Sequence, residues 1–431
     1  MKTFPHGVHP KGYKELTENI PVTELPAPDV VYVPLQQHLG KEAIPVVTKC
    51  DRVLVGQKIG DADGAISAPV FSSVSGEVTG IERRATATGR CNHVVIKNDG
   101  KFDEVKLEPL HNPSPEEIVH RIAECGIVGM GGAGFPTAVK LKPRESIDTF
   151  IINAAECEPY LTCDYRILLE RSSEFLSGAH FMARALGLSK FYIVVENNKL
   201  EAVKALESAI EADKIPAEVV LCQTKYPQGA EKQLIYAVTG RKVRLGKLPS
   251  SVGVIVDNAQ TALSVHYAVT EGIKSYARVL TVSGLGVNAR GNFKVRTGTP
   301  YSFILDYCGG KTDNAVKMIS GGPMMGFAVS DDRIAVGKTT SGILLLTSEE
   351  TNLNEATSCI NCAGCVRACP MNLMPVYIDS YILSGDVAGA EKYGAMNCIE
   401  CGSCAYVCPA SRPLVQSIRL AKKKIRERGR K

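Results

Sequence analysis

Two cysteine runs of identical spacing constrain this 431-residue chain more than any other feature. Cys359, Cys362, Cys365 and Cys369 precede Pro370, and Cys398, Cys401, Cys404 and Cys408 precede Pro409, so CxxCxxCxxxCP recurs at an offset of 39 residues. Three thiolates at two-residue gaps can wrap three corners of an iron–sulfur cube. The fourth corner needs a ligand from elsewhere, and in two-cluster ferredoxins the fourth cysteine of each run serves the other cluster. The expected ligand sets are therefore Cys359, Cys362, Cys365 and Cys408 for one 4Fe-4S cluster, and Cys398, Cys401, Cys404 and Cys369 for the second. Structural zinc is the competing assignment. Zinc asks only for paired CxxC elements, often with histidine, and no histidine lies between 359 and 408. The stretch Met371 to Asn397 reads as helical, so the two runs predict a helical ferredoxin module rather than a small hairpin ferredoxin. Two neighbouring clusters serve stepwise single-electron transfer.

The other seven cysteines (Cys50, Cys91, Cys125, Cys157, Cys163, Cys222, Cys308) are scattered. That pattern argues for a reducing compartment and against a secreted disulfide framework. Net charge is +5, but residues 419–431 alone carry +7, which leaves the rest of the chain at −2. No nucleic-acid partner is therefore expected. The basic tail reads as a solvated, frayed helix end, with contact to an anionic membrane or an acidic partner as a second use. No apolar run approaches the roughly 18 residues needed to span a bilayer, and the first residues lack the apolar core of a signal peptide.

Hydrophobic patterning divides the chain into four parts. Residues 1–112 are β-rich, with short apolar runs such as Val30 to Val33 and Val94 to Ile96 between Gly/Pro/Asp turns. The stretch APVFSSVSGEVTGIE resembles the hairpin of a barrel-sandwich hybrid, the fold of lipoyl and biotinyl carriers. Serines stand where such carriers need a lysine, so no prosthetic arm is expected. Residues 113–270 alternate helix and strand, which predicts a parallel sheet covered by helices. Ser114, Pro115, Glu116 and Glu117 announce a helix start, and Tyr165 to Leu186 reads as one long helix. Residues 271–350 return to short strands and suggest a β-grasp module. Residues 351–431 hold the cysteine runs.

A glycine-rich loop, Gly126 to Thr137, follows the helix predicted at 115–124. Its glycines Gly129, Gly131, Gly132 and Gly134 permit close approach of backbone to a ligand. Pro136 predicts a helix start beside it, with Lys140 one turn in, within reach of a phosphate or a flavin ring. The loop precedes a strand instead of following one, which departs from the dinucleotide-binding fingerprint. Directly after the strand Phe150 to Ile152 comes Asn153-Ala154-Ala155-Glu156-Cys157-Glu158. Ligands of open α/β sheets sit beyond the carboxyl ends of strands, and the acidic Glu156 and Glu158 there suit ribityl or ribose hydroxyls.

GMGGAGFPTAVKL, INAAECEPYLTCDYR and the twin cysteine runs together resemble the RnfC family, a component of the Rnf electron transport complex, over nearly the whole chain. The flavin half is also similar to the flavin- and NADH-binding subunit of respiratory complex I. The resemblance implies bound FMN, an NAD(H) site beside it and two 4Fe-4S clusters. It implies that Gly129, Gly131 and Lys140 cradle FMN, with Asn153 at its ribityl or phosphate end. Phe135 would stack on a dinucleotide ring and Glu158 would contact ribose. Glu231, in Gly229-Ala230-Glu231, and the pair Asp257-Asn258 match the relative's Gly-Glu-Glu turn and Asn-Asn pair, each with one residue changed. The implied setting is an ion-translocating ferredoxin:NAD oxidoreductase on the cytoplasmic face of the bacterial cytoplasmic membrane. There the chain would be a peripheral subunit among other subunits, served indirectly by ferredoxin. A soluble corrinoid reductase of a metabolic microcompartment and a flavin-less ferredoxin-like conduit are the alternative readings.

Overall fold

A computed structural model describes residues 1–132 and 134–429. Ala133 of the glycine loop and Arg430 and Lys431 of the basic tail lie outside the described residues. The first strand, β1 (Val22–Glu24), leaves the N-terminal part and joins a later sheet. What remains is a sandwich. One layer contains β2 (Val30–Pro34), β4 (Arg52–Val53), β7 (Gly76–Thr86) and β8 (Gly89–Asn98), in the order β2-β8-β7-β4. The other contains β3 (Ile44–Pro45), β5 (Lys58–Asp61) and β6 (Val70–Phe71). Alternate residues such as Val31, Val33, Val94 and Ile96 fill the space between. The serines between β6 and β7 are buried. Ser73 Oγ donates to Thr297 O and Arg296 Nη1 donates to Ser73 O, so this turn is packed into the β-grasp part of the molecule.

The second part begins with α1 (Pro115–Glu124), whose Ser114 and Glu117 form a reciprocal capping box, an arrangement usually worth about 1 kcal/mol. After α2 (Thr137–Lys140) comes β9 (Thr149–Asn153). Then follow α3 (Cys163–Glu170), α4 (Ser172–Ala185), β10 (Phe191–Glu196), α5 (Leu200–Asp213), β11 (Ala217–Cys222), α6 (Glu231–Thr239), β12 (Val254–Asn258) and α7 (Ala259–Thr270). The four strands are parallel in the order β11-β10-β9-β12. β9 and β12 are apolar along their length because both faces are covered.

Two expectations need correction here. The long helix is broken at Arg171, where the chain leaves helical geometry (φ −136°, ψ 36°) and turns α4 onto α7. The helix after the glycine loop is one turn of four residues, with Pro136 at its cap position and not inside it. It offers no dipole of consequence.

The β-grasp part consists of β13 (Ala277–Ser283), β14 (Gly291–Arg296), α8 (Tyr301–Tyr307), β15 (Ala315–Ser320), β16 (Phe327–Val329) and β17 (Gly342–Thr347). With β1 these strands form a sheet in the order β1-β14-β13-β17-β15-β16. The cysteine runs occupy a helical module: α9 (Gly364–Ala368), α10 (Pro375–Leu383), α11 (Val387–Lys392), α12 (Ser403–Tyr406) and α13 (Leu414–Arg428). The expected frayed tail is corrected as well. Through Arg428 it is a regular helix that buries Ile418, Ala421 and Ile425, and Lys422 is buried with them.

Candidate functional site

The parallel sheet reverses direction of growth between β9 and β12, and their carboxyl ends lie side by side, with Asn153 in register with Asn258. That is the switch point at which open α/β sheets bind ligands. The glycine loop closes over it. Gly129 N–H donates to Phe135 O, Met130 N–H donates to Thr261 Oγ1, and a Cβ on Gly131 would lie 3.0 Å from the Asn258 side chain. Gly134 has φ +69° and sits against Gln37, His38 and Thr339, while its carbonyl accepts from Leu39 N–H. The loop is thus held between the N-terminal sandwich and the β-grasp part.

Around this junction the structure brings together most of the expected residues. Lys140 Nζ donates to Val256 O at 2.8 Å and lies 3.7 Å from Glu231 and 3.9 Å from Asp257. Burial raises the pKa of Glu231, with Lys140 opposing the shift. Asp257 is 3 % exposed, and its Oδ2 has no hydrogen-bond partner. An unpaired buried carboxylate oxygen costs roughly 1–3 kcal/mol or more, so this atom marks a place where a donor is missing. Asn153 Nδ2 donates to Gly229 O, and Asn258 Nδ2 donates to Asp164 Oδ2. The role of Asp164 has no signal in the sequence.

The two acidic residues of the loop do something other than what was expected of them. Glu156 accepts from the N–H groups of Asp164 and Tyr165, capping α3, and lies 3.8 Å from Lys14 Nζ. Glu158 accepts from the N–H groups of Met324 and Met325 and from Tyr226 OH, tying the loop to the β-grasp part. Both carboxyls are pushed up to about 7 by burial. Lys14 opposes the shift at Glu156, and the two methionine amides oppose it at Glu158. The reading of these side chains as ribityl or ribose ligands is therefore replaced by a structural one.

In the helical module, Cys369, Cys398, Cys401 and Cys404 line one cavity whose other walls are Pro370, Leu373, Ile399, Val415 and Ile418. Four sulfurs facing an apolar hollow are a donor set suited to an iron–sulfur cube. Backbone amides support it: Glu400 N–H donates to Cys398 Sγ and Leu373 N–H donates to Cys369 Sγ. The remaining run is closer to solvent. Cys359 and Cys362 are exposed, while Cys365 and Cys408 pack beside Leu414 and Val415. The repeat extends to the backbone. Asn361, Ala363 and Asn372 have positive φ, and so do Glu400, Gly402 and Ser411, each 39 residues on.

The two sites are joined. Cys401 packs with Cys157, Tyr226 and Met324, and Cys157 Sγ in turn accepts from Gly229 N–H. A Cβ on Gly402 would lie 2.5 Å from Met324 O, and Arg419 Nη2 donates to Met325 O. Lys422 and Arg419, assigned to a solvated tail by the sequence, instead pair with Glu400, and Lys422 also holds Cys398 O.

Comparison with known proteins fits this arrangement part by part. Residues 2–101 match the RnfC barrel sandwich hybrid domain, 122–267 the Nuo51 FMN-binding domain, 279–328 the SLBB domain and 351–409 a 4Fe-4S dicluster domain. The chain is 44% identical to the RnfC-type subunit of the proton-translocating ferredoxin:NAD(+) oxidoreductase complex of Clostridium ljungdahlii, covering 100% of this chain and 95% of that protein. The chain belongs to the RnfC family. Within the RnfC family, the corresponding subunit of the ion-translocating oxidoreductase complex of Rhodobacter capsulatus is 43% identical, over 98% of this chain and 83% of its own length. The counterpart from the Na(+)-translocating ferredoxin:NAD(+) oxidoreductase complex of Acetobacterium woodii is 42% identical, over 100% and 98%. Among solved structures, an NAD+-reducing [NiFe]-hydrogenase in its H2-reduced state shares the fold, with a TM-score of 0.53 at 17% identity, over 75% of this chain and 67% of that one.

Proposed function

We propose that this chain is the peripheral subunit of an ion-translocating ferredoxin:NAD oxidoreductase complex that passes electrons between NAD(H), FMN and two 4Fe-4S clusters. Its place is the cytoplasmic face of the bacterial cytoplasmic membrane. The observation that carries the reading is the contact of Cys401, in the four-cysteine cavity, with Cys157 and Tyr226 beside the junction of β9 and β12. A two-electron site and a one-electron site share a wall.

FMN, when bound, exchanges two electrons with nicotinamide and one at a time with iron–sulfur clusters. The residues at the switch point suit it. Gly129, Gly131, Gly132 and Gly134 let backbone come close, and Lys140 supplies a cation. Asn153 and Asn258 offer amides at the strand ends, and the unpaired Oδ2 of Asp257 accepts a donor. Phe135 provides an apolar wall for the dinucleotide ring, with Glu231 at the rim. The second cluster belongs to Cys398, Cys401, Cys404 and Cys369; the first, with Cys359, Cys362, Cys365 and Cys408, faces the partner subunits. No helix among the described residues is long and apolar enough to cross a membrane, so ion movement falls to those partners.

Anaerobic reconstitution with iron, sulfide and FMN tests both halves. NADH is expected to bleach the flavin and then reduce two spectroscopically distinct clusters. Cys369→Ser should abolish the same cluster signal as Cys404→Ser and spare the one lost in Cys359→Ser. If Cys369→Ser instead removes the Cys359 cluster, the crossed assignment fails.

A further inference from the structure

Two buried lysines lie behind the loop that follows β9, and no step of the electron transfer uses them. Lys199 Nζ donates to Ala155 O at 2.8 Å. Lys14 Nζ donates to Glu156 O at 2.7 Å, Glu158 O at 2.8 Å and Leu161 O at 2.5 Å. Lys199 is 3 % exposed, and the Lys14 side chain is 12% exposed. A trans peptide is planar, so each carbonyl points opposite to the N–H of the next residue. Anchoring the carbonyls of Ala155 and Glu156 on the ammonium groups therefore turns the N–H groups of Glu156 and Cys157 the other way. Among the described residues neither amide has an acceptor. Glu156 carries φ +46°, a left-handed conformation that a residue with a side chain adopts only when its surroundings enforce it. Successive free amides around such a residue form a concavity that favours negative charge.

Resting on the FMN site proposed above, we infer that Lys14 and Lys199 form a positioning clamp that aims the Glu156 and Cys157 amides at the flavin and favours its reduced, negatively charged form. The clamp holds its own counter-charges. Lys14 lies 3.8 Å from Glu156, Lys199 lies 3.5 Å from Glu196, and Glu158 and Asp164 stand nearby. Removing one ammonium leaves the carboxylates in excess, and that change opposes an anionic ligand more than a neutral one. The sign does not depend on how the carboxyls share protons, because proton uptake by Glu156 offsets the loss only in part. Lys14 comes from the N-terminal segment, where Tyr13 stacks on Tyr160 with centroids 4.5 Å apart, so the clamp also reports that this segment is seated.

The test is the ratio of FMN dissociation constants for the reduced and oxidised forms, measured on the full chain by flavin fluorescence and anaerobic titration. Lys199→Met and Lys14→Met should each raise that ratio about tenfold, equivalent to about 30 mV for a two-electron couple. Lys199→Arg, which keeps the charge, should restore it. If both forms of FMN weaken equally in the methionine variants, the clamp is merely structural and the inference is overturned. Lys199→Gln, which keeps a donor without the charge, decides the same question should the methionine variants fail to fold. Failure of the unaltered chain to bind either form would overturn the site itself, an outcome distinct from equal weakening.

Discussion

Lys338 is among the largest fully buried side chains in the molecule, and its ammonium donates to Pro69 O and Gly126 O. It reaches from the β-grasp part to the N-terminal sandwich and to the first residue of the glycine loop. Burial pushes its pKa from 10.5 down to about 7, with Cys125 opposing the shift. In the unfolded chain this lysine keeps its proton until about pH 10.5, whereas in the folded chain it gives it up near 7. Between those values the unfolded state binds more protons, so stability rises with pH; below about 7 the cost of burying the charge is fully present. Denaturant titrations between pH 7 and 10 should show this rise, and Lys338→Met should flatten it while exposing two unpaired carbonyls at roughly 1–3 kcal/mol each. Equal slopes for the two proteins would remove Lys338 as the cause. Nothing in AVGKTTSG distinguishes a buried lysine from a solvated one, because its partners lie 212 and 269 residues away. Cysteine spacing is legible for the opposite reason: three ligands of a cube come from one short peptide, so the geometry is written locally.

At the scale of elements, α1 is readable to the residue because its capping box is a contact between neighbours in sequence. The break between α3 and α4 is not readable from apolar periodicity, which runs on through Arg171. The signal was Ser172-Ser173-Glu174, a helix-start sequence inside an apparent helix. The cap of α3 is supplied by Glu156, which lies outside the helix, and Thr162 at the cap position makes no side-chain bond to it. α4 and α7 cross at Gly178, where an added Cβ would fall 1.8 Å from Ala262 O. Gly178→Ala should therefore push the helices apart and cost about 3 kcal/mol in a denaturant titration, at the upper end of overpacking effects. Gly80→Ala, where an added Cβ meets nothing within 4 Å, should stay within about 0.5 kcal/mol. Similar losses at the two positions would refute the packing argument.

Across the whole molecule, the N-terminal twenty residues act as a strap. Lys2 N–H donates to Leu221 O on the edge strand β11, Val8 pairs with Tyr226, and Gly7 N–H donates to Ala368 O in the helical module. Further along, Asn292 Nδ2 of the β-grasp sheet donates to Thr17 O and Ile20 O. Removing residues 1–11 leaves Tyr13 and Lys14 in place but takes away the contacts to the helical module. Calorimetry is expected to show that module melting ahead of the rest as a separate transition; a single transition at the original temperature would argue against the strap. The four-part architecture was legible because hydrophobic rhythm changes at each boundary. The joints between parts were not, since Glu158, Lys14 and Lys338 act across more than a hundred residues.

Cys369 comes from the first cysteine run yet lines the hollow of the second, and the backbone of one run repeats that of the other 39 residues on. Two copies of one peptide have thus become hostages to each other. A recombination that deletes either copy strands its sibling with three thiolates, and both inorganic centres go with it. Such a module can be inherited or discarded whole, but it cannot be pared down to a single-centre ancestor without building a new anchor.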